Sequence, residues 1–114
     1  AVMLFTLQFV RPLYRERVIR SIASGLRHNG AVILVEKVIE SDTLFNRLFI
    51  DHYYGMKRRH GYSEMEISQK REALENVLVP YRLDEKRALL LDNGFSRVQE
   101  FFRWYNFAGL VAVR

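Results

Sequence analysis

At 114 residues, the chain has room for at most one ordinary domain. Hydrophobic residues make up 49% of it and charged residues 27%, a composition that excludes an intrinsically disordered protein. The absence of cysteine excludes disulfides and thiolate metal sites, and the net charge of +5 favours an acidic ligand or partner. No apolar run approaches the roughly 18 residues of a membrane span and no secretory signal pattern is present, so we expect no membrane partner and a cytoplasmic location.

The first third of the sequence predicts a βαβ unit. Residues 1–10 form an apolar run typical of a strand that is buried on both faces. Pro12 suits the first turn of a helix, which we expect to continue to Asn29 and Gly30. Residues 31–39 (AVILVEKVI) predict a second buried strand. Two strands joined by a helix in under 40 residues indicate a parallel sheet.

The remainder predicts two or three helices and a hairpin. Ser41 or Asp42 can cap a helix that ends between Gly55 and Gly61. Its predicted apolar face consists of Leu44, Phe45, Leu48, Phe49, His52 and Met56. A short helix is expected over 84–93, followed by a turn at Gly94, and the aromatic tail predicts two strands broken near residues 106–109. Since no G-x-G pattern follows the first strand, the chain resembles the second half of an α/β nucleotide-type fold.

The segment GYSEMEISQKREALEN (61–76) carries the main functional signal. Ser63 and Glu66 form a capping box that predicts the start of a helix. From there Arg71 shares one face with aliphatic residues, namely Ile67, Leu74 and Leu78. A buried arginine requires a carboxylate, which can come from Glu36, from Glu75 or from a ligand.

Other candidate residues have competing structural interpretations. Glu36, near the end of a strand, and Tyr62 can line a pocket, but core packing or helix capping is the favoured role for each. The basic run at 57–60 is typical of a helix C-terminus, where the dipole favours cations, so we expect no direct nucleic-acid partner. Three scattered histidines, His28, His52 and His60, predict no metal site.

Four segments resemble one enzyme family. They are FTLQF (5–9), SGLRHNGAVILVEK (24–37), GYSEMEISQKREALENV (61–77) and WYNFAGLVAV (104–113). Together they are similar to the C-terminal half of the carboxy-S-adenosylmethionine synthases. The resemblance implies that residues 1–114 form the C-terminal part of one Rossmann-like class I methyltransferase domain, with the glycine-rich cofactor half upstream of residue 1.

The resemblance also implies a reaction. Members of the family convert S-adenosylmethionine and prephenate into carboxy-S-adenosylmethionine and phenylpyruvate, and a partner enzyme uses the product to modify the wobble uridine of tRNA. The arginine of the ISQKR motif, here Arg71, binds the carboxylate of the modified sulfonium. The residue before FTLQF is a cofactor-binding asparagine in the family; Leu4 stands there, so only a main-chain contact is expected.

Two alternatives stay open. The chain can belong to an ordinary S-adenosylmethionine-dependent methyltransferase with another acceptor, a divergence that Leu4 would mark. It can also be a non-catalytic dimerisation or binding module. We expect residues 1–114 to be inactive alone and to associate as a homo-oligomer, because an unpaired apolar strand edge favours association.

Overall fold

The computed structural model describes residues 1–75 and 77–114; Asn76, the last residue of the segment 61–76, lies outside them. The strands are β1 (Val2–Leu4), β2 (Ala31–Ile39), β3 (Tyr81–Arg82), β4 (Arg97–Trp104) and β5 (Phe107–Val113). The helices are α1 (Pro12–Gly25), α2 (Thr43–Arg59), α3 (Glu64–Leu74) and α4 (Leu83–Asp92), and a 3-10 turn (Leu7–Phe9) follows β1.

Strand β2 is the centre of the sheet, which has the order β1-β2-β5-β4. It is parallel to β1, with Val2 opposite Ile33, and antiparallel to β5. The short β3 pairs in parallel with the last residues of β2. The predicted βαβ unit and C-terminal hairpin are therefore confirmed, and the carboxyl ends of β1, β2 and β3 meet at one edge of the sheet.

The expectation of a long, doubly buried first strand is wrong. Strand β1 has three residues, and Val2 and Leu4 are 63% and 54% exposed. Phe5 adopts a left-handed φ of 53° and ends the strand, after which the 3-10 turn buries Leu7 completely. An apolar run alone cannot distinguish these outcomes, because the burial of a strand depends on which elements pack against it.

The core lies between the sheet and two helices. Ile19 and Ala23 of α1 face Leu90 of α4, and the sheet contributes inward-facing residues of β2 and β5, namely Val32, Leu34, Leu110 and Ala112. Helix α1 ends at Gly25, earlier than predicted, while Asn29 has the expected left-handed conformation with φ 63°. None of the helices in residues 1–75 and 77–114 is long and apolar enough to cross a membrane.

Candidate functional site

Two predicted helix caps fix the elements that build the site. Asp42 accepts hydrogen bonds from the amides of Leu44 and Phe45, both at 3.0 Å, and so begins α2. At the start of α3, the Glu66 amide donates to Ser63 Oγ at 3.1 Å and the Ser63 amide donates to Glu66 Oε1 at 3.4 Å. The predicted capping box is confirmed, and it sets the register of α3.

The expectation that Arg71 faces inward is wrong. Ile67 is buried and Leu74 half-buried, but Arg71 is exposed, with its guanidinium carbon 5.4 Å from the centroid of the Tyr54 ring. Helical spacing assigned these residues to one face correctly, since all of them line one cavity, but that face is only partly covered and is open at Arg71. Arg71 therefore lies at the rim of a cavity, where its guanidinium stays hydrated.

Neither internal carboxylate pairs with Arg71. Glu36 is fully buried and bonded to Lys86, with Nζ 3.1 Å from Oε1. Glu75 lines the same cavity as Arg71, yet within residues 1–75 and 77–114 no carboxylate oxygen comes within 4.0 Å of the guanidinium nitrogens. Because Arg71 is exposed, water can hydrate its guanidinium, and the side chain is free to contact a ligand.

Four of the ten residues that line the cavity beside Arg71 are cations. It has a volume of about 400 Å³ and lies between the end of β2, α2 and α3. Its walls are Lys37, Tyr53, Tyr54, Lys57, Ile67, Lys70, Arg71, Leu74, Glu75 and Leu78. Four cationic side chains and one carboxylate therefore surround one space. Such an imbalance attracts an anionic ligand.

Tyr53 organises the lysines at the base of this cavity. The Nζ atoms of Lys37 and Lys57 each lie 4.9 Å from the centroid of its ring. Burial lowers the pKa of Lys37, and the positive charges of Lys57 and Lys70 lower it further. Burial raises the pKa of the Tyr53 phenol, which keeps it neutral at physiological pH.

An apolar cavity of about 420 Å³ adjoins the cationic one. Its walls are Phe5, Val35, Tyr53, Met56, Phe102, Trp104 and Phe107. The rings of Tyr53 and Phe107 meet edge to face at 5.1 Å, and Tyr53 lines both cavities. The two spaces together can accept a ligand that has an anionic end and an unsaturated or aromatic end.

A buried polar network joins the 3-10 turn to the end of β2, next to Phe5 and Lys37, which line the two cavities. The Gln8 amide donates to Glu36 Oε2 at 2.9 Å, and the Gln8 side chain accepts from the Lys37 amide at 2.8 Å. Arg15 is also fully buried; its Nη2 donates to the carbonyls of Gln8 and Val79 at 3.0 and 2.6 Å. These bonds fix the 3-10 turn, and hence Phe5, relative to the end of β2.

The other predicted residues lie around this site with different roles. Leu4 is exposed and its carbonyl accepts from Thr6 Oγ1 at 3.0 Å; the next residue, Phe5, lines the apolar cavity. Tyr62 is 43% exposed, and its ring centroid lies 5.5 Å from Lys57 Nζ. His52 stacks on Tyr105 with 4.0 Å between ring centroids.

Sequence reasoning missed the lysines of the cavity. The basic run at 57–60 is at the C-terminal end of α2, as predicted, but its first residue, Lys57, is buried beneath the cavity. The available signal was the spacing of Tyr53 and Lys57, which places an aromatic ring and a cation on one face one turn apart. Lys37 gave no such signal, since an isolated lysine at a strand end is common.

Known proteins with similar sequences agree with the family resemblance of the four segments described above. None of the protein-family models compared with the chain matches it. The carboxy-S-adenosyl-L-methionine synthase of Methylococcus capsulatus is 60% identical over all 114 residues, and the chain covers 47% of that protein. The synthases of Desulfotalea psychrophila and Nautilia profundicola are 47% and 46% identical over 96% of the chain, which covers 45% and 47% of them. The chain thus spans about half the length of the curated relatives it matches.

Solved structures show the fold. Human N-acetylserotonin methyltransferase in complex with SAM superposes with a TM-score of 0.62 at 11% identity, covering 99% of this chain and 28% of that one. The S-adenosylmethionine-dependent methyltransferase SibL in its apo form gives a TM-score of 0.59 at 16% identity, with 99% and 30% covered. By sequence the chain is similar to about half of the carboxy-S-adenosyl-L-methionine synthases, and it has part of the Rossmann-like methyltransferase fold.

Proposed function

We propose that the chain is part of a carboxy-S-adenosylmethionine synthase. The complete enzyme would convert S-adenosylmethionine and prephenate into carboxy-S-adenosylmethionine, phenylpyruvate and water. Sequence identity of 60% over the whole chain to a protein of that name supports the family reaction. One observation supports a particular binding site. Arg71 lies at the rim of a cationic cavity and has no carboxylate partner in residues 1–75 and 77–114.

Arg71 would bind the carboxylate that the reaction adds to the sulfonium methyl carbon. A guanidinium can donate two parallel hydrogen bonds to one carboxylate, so it fixes orientation as well as charge. The exposed position of Arg71 suits this role, because the side chain is accessible until the ligand covers it. Tyr54, whose ring lies 5.4 Å from the guanidinium carbon, restricts its direction.

The cofactor would lie at the carboxyl edge of β1 and β2. Open α/β sheets bind their ligands beyond the carboxyl ends of their strands, and Leu4 ends β1 at that edge. A contact to S-adenosylmethionine would then come from the Leu4 main chain. The other half of the enzyme would supply the glycine-rich loop and would cover β1, whose Val2 and Leu4 are exposed.

The same proposal sets the enzyme's biological context. Its product would serve a partner enzyme that modifies the tRNA wobble uridine, with no direct contact between this chain and nucleic acid, in the cytoplasm. A homo-oligomer agrees with the predicted apolar face of α2, where Leu44, Phe45 and Leu48 are 60%, 51% and 48% exposed. Exposed large aliphatic and aromatic residues grouped on one helix are typical of an interface.

One observation favours a second candidate function. Leu4 replaces the asparagine expected from the family, which removes a side-chain contact to the cofactor. An ordinary methyltransferase with another acceptor would tolerate that loss. In such an enzyme Arg71 would bind a carboxylate on the acceptor.

The test is turnover by the complete protein that contains this chain. With S-adenosylmethionine and prephenate, we expect phenylpyruvate and a sulfonium product heavier by one carboxyl group, both measured by mass spectrometry. Residues 1–114 alone should give neither product. Consumption of S-adenosylmethionine without a carboxylated sulfonium would contradict the proposal and favour the methyltransferase.

A further inference from the structure

Lys57 lines the cationic cavity although most of the residue is buried. Only 8% of the residue is exposed, and in residues 1–75 and 77–114 no carboxylate lies within 4.0 Å of its amine. The other deeply buried lysine, Lys86, has Glu36 as its partner. Lys57 thus lines the cavity with no anion of the described residues beside its amine, an arrangement that favours an anionic ligand there.

Two aromatic rings partly compensate the positive charge of Lys57 and hold its amine in position. Lys57 Nζ lies 4.9 Å from the centroid of Tyr53 and 5.5 Å from that of Tyr62. Ring faces attract cations but do not neutralise them. Lys37 Nζ lies at the same 4.9 Å from Tyr53, so two ammonium groups share one ring without a carboxylate between them.

We infer that Lys57 and Lys37 form a second anion-binding subsite, separate from Arg71, that holds a carboxylate of the second substrate. This inference rests on the proposed function. The two subsites differ in position: Arg71 is exposed beside Tyr54, whereas Lys57 is buried beside Tyr53. Because Tyr53 also lines the apolar cavity, a carboxylate on the lysines directs the attached group toward the aromatic walls.

The chemistry of prephenate indicates which of the two prephenate carboxylates binds to this subsite. The ring carboxylate leaves as carbon dioxide while the ring hydroxyl departs and the ring becomes aromatic. The sulfonium methyl carbon loses a proton, which forms water with that hydroxide, and bonds the carbon dioxide as the carboxylate that Arg71 binds. The carboxylate of the pyruvyl side chain is unchanged and is still present in phenylpyruvate. Lys57 and Lys37 therefore hold the pyruvyl carboxylate, and phenylpyruvate is expected to bind the same lysines.

The decisive variant is Lys57→Met in the complete protein, because methionine fills nearly the same space without charge. We expect the KM for prephenate to rise at least tenfold and phenylpyruvate to lose its competitive inhibition, while the Kd of S-adenosylmethionine changes less than twofold. Lys57→Arg should restore part of the prephenate affinity. Arg47→Met removes an exposed charge from the same helix and should leave all three values unchanged.

Two outcomes would overturn the inference. An unchanged KM for prephenate in Lys57→Met would make Lys57 a packing residue, and equal losses for prephenate and S-adenosylmethionine would assign the subsite to the cofactor. Lys37→Met provides a second variant with the same expectations should Lys57→Met fail to fold.

A binding measurement separates this inference from the proposed function. Malonate should raise the Tm of an Arg71→Ala variant, which lacks the other carboxylate site, and adding Lys57→Met should abolish that rise whether or not the enzyme turns over prephenate. Absence of turnover together with a Lys57-dependent shift would contradict the reaction and keep the subsite. A malonate shift that persists when either Lys57→Met or Lys37→Met is added to Arg71→Ala would overturn the subsite.

Discussion

Glu36 and Lys86 form an ion pair inside the chain, with 3.1 Å between Oε1 and Nζ and at most 2% of either side chain exposed. Burial lowers the pKa of Lys86, and the adjacent carboxylate opposes that change. Glu36 also accepts the Gln8 amide, so the pair joins α4, β2 and the turn that precedes α1. The pair supports the wall of the cavity without lying in it.

Removing one member of this pair should destabilise the protein strongly. Glu36→Gln keeps an oxygen for the Gln8 amide but leaves Lys86 buried without a counter-ion, which costs about 3–5 kcal/mol. We expect that loss in the free energy of unfolding, measured by urea denaturation of the complete protein. The double variant Glu36→Gln/Lys86→Met should recover most of the lost free energy of unfolding. A loss below about 1 kcal/mol in Glu36→Gln would show that Lys86 escapes to water.

Two glycines should respond to alanine with opposite signs. Gly94 has φ 111°, and an added Cβ would lie 2.8 Å from Ala23 Cβ, so Gly94→Ala should lower the free energy of unfolding by about 2 kcal/mol or more. Gly25 ends α1 with no atom within 4 Å of an added Cβ. Gly25→Ala should raise the free energy of unfolding by about 0.4–1 kcal/mol. Equal effects in denaturation curves would contradict this assignment.

Loss of the cap on α3 should weaken both the helix and the site. Ser63→Ala removes the acceptor of the Glu66 amide, which costs about 0.5–2 kcal/mol. Because α3 carries Arg71, we expect faster hydrogen exchange in 64–74 and weaker binding of the carboxylated cofactor. Ser68→Ala, inside the same helix, is the control and should change neither quantity appreciably.

The planar guanidinium of Arg71 should be required for high affinity toward carboxy-S-adenosylmethionine. Arg71→Lys keeps the charge but loses the paired hydrogen bonds, and each bond to a charged group contributes about 1.5–3 kcal/mol. We expect roughly tenfold or greater loss of affinity for carboxy-S-adenosylmethionine and little change for S-adenosylmethionine. Arg71→Ala should show a larger loss with the same selectivity. Equal losses for both ligands, measured by calorimetry, would mean that Arg71 does not bind the added carboxylate.

The lowered pKa of Lys37 predicts an alkaline limit to substrate binding. Lys37 loses its charge at a pH below 10.5, so the KM for prephenate should rise as pH passes through its lowered pKa. Lys37→Arg should move that limit to higher pH, since guanidinium stays charged. An identical pH profile in wild type and Lys37→Arg would exclude Lys37 from binding.

The stability of the ligand-free protein should change in the opposite direction. Between the lowered pKa of Lys37 and 10.5, the unfolded chain binds more protons than the folded chain, so the free energy of unfolding increases with pH. Lys37→Met should remove that contribution. Urea denaturation at several alkaline pH values measures both curves.

The sequence by itself determined the features that depend on neighbouring residues. The cap at Asp42, the capping box of Ser63 and Glu66, the bounds of β2 and the turn at Gly94 were all predictable. Each of them depends on hydrogen bonds or backbone preferences within a few residues. The family resemblance likewise rests on contiguous motifs.

Only the tertiary structure decided which charges are buried and which of them are paired. Helical spacing placed Arg71 on the correct face, but the packing of α3 on α2 left it exposed and buried Lys57 instead. Glu36 found its partner in Lys86, 50 residues away. Burial and ion pairing depend on the three-dimensional arrangement of distant elements, and a local pattern carries no information about which element will cover it.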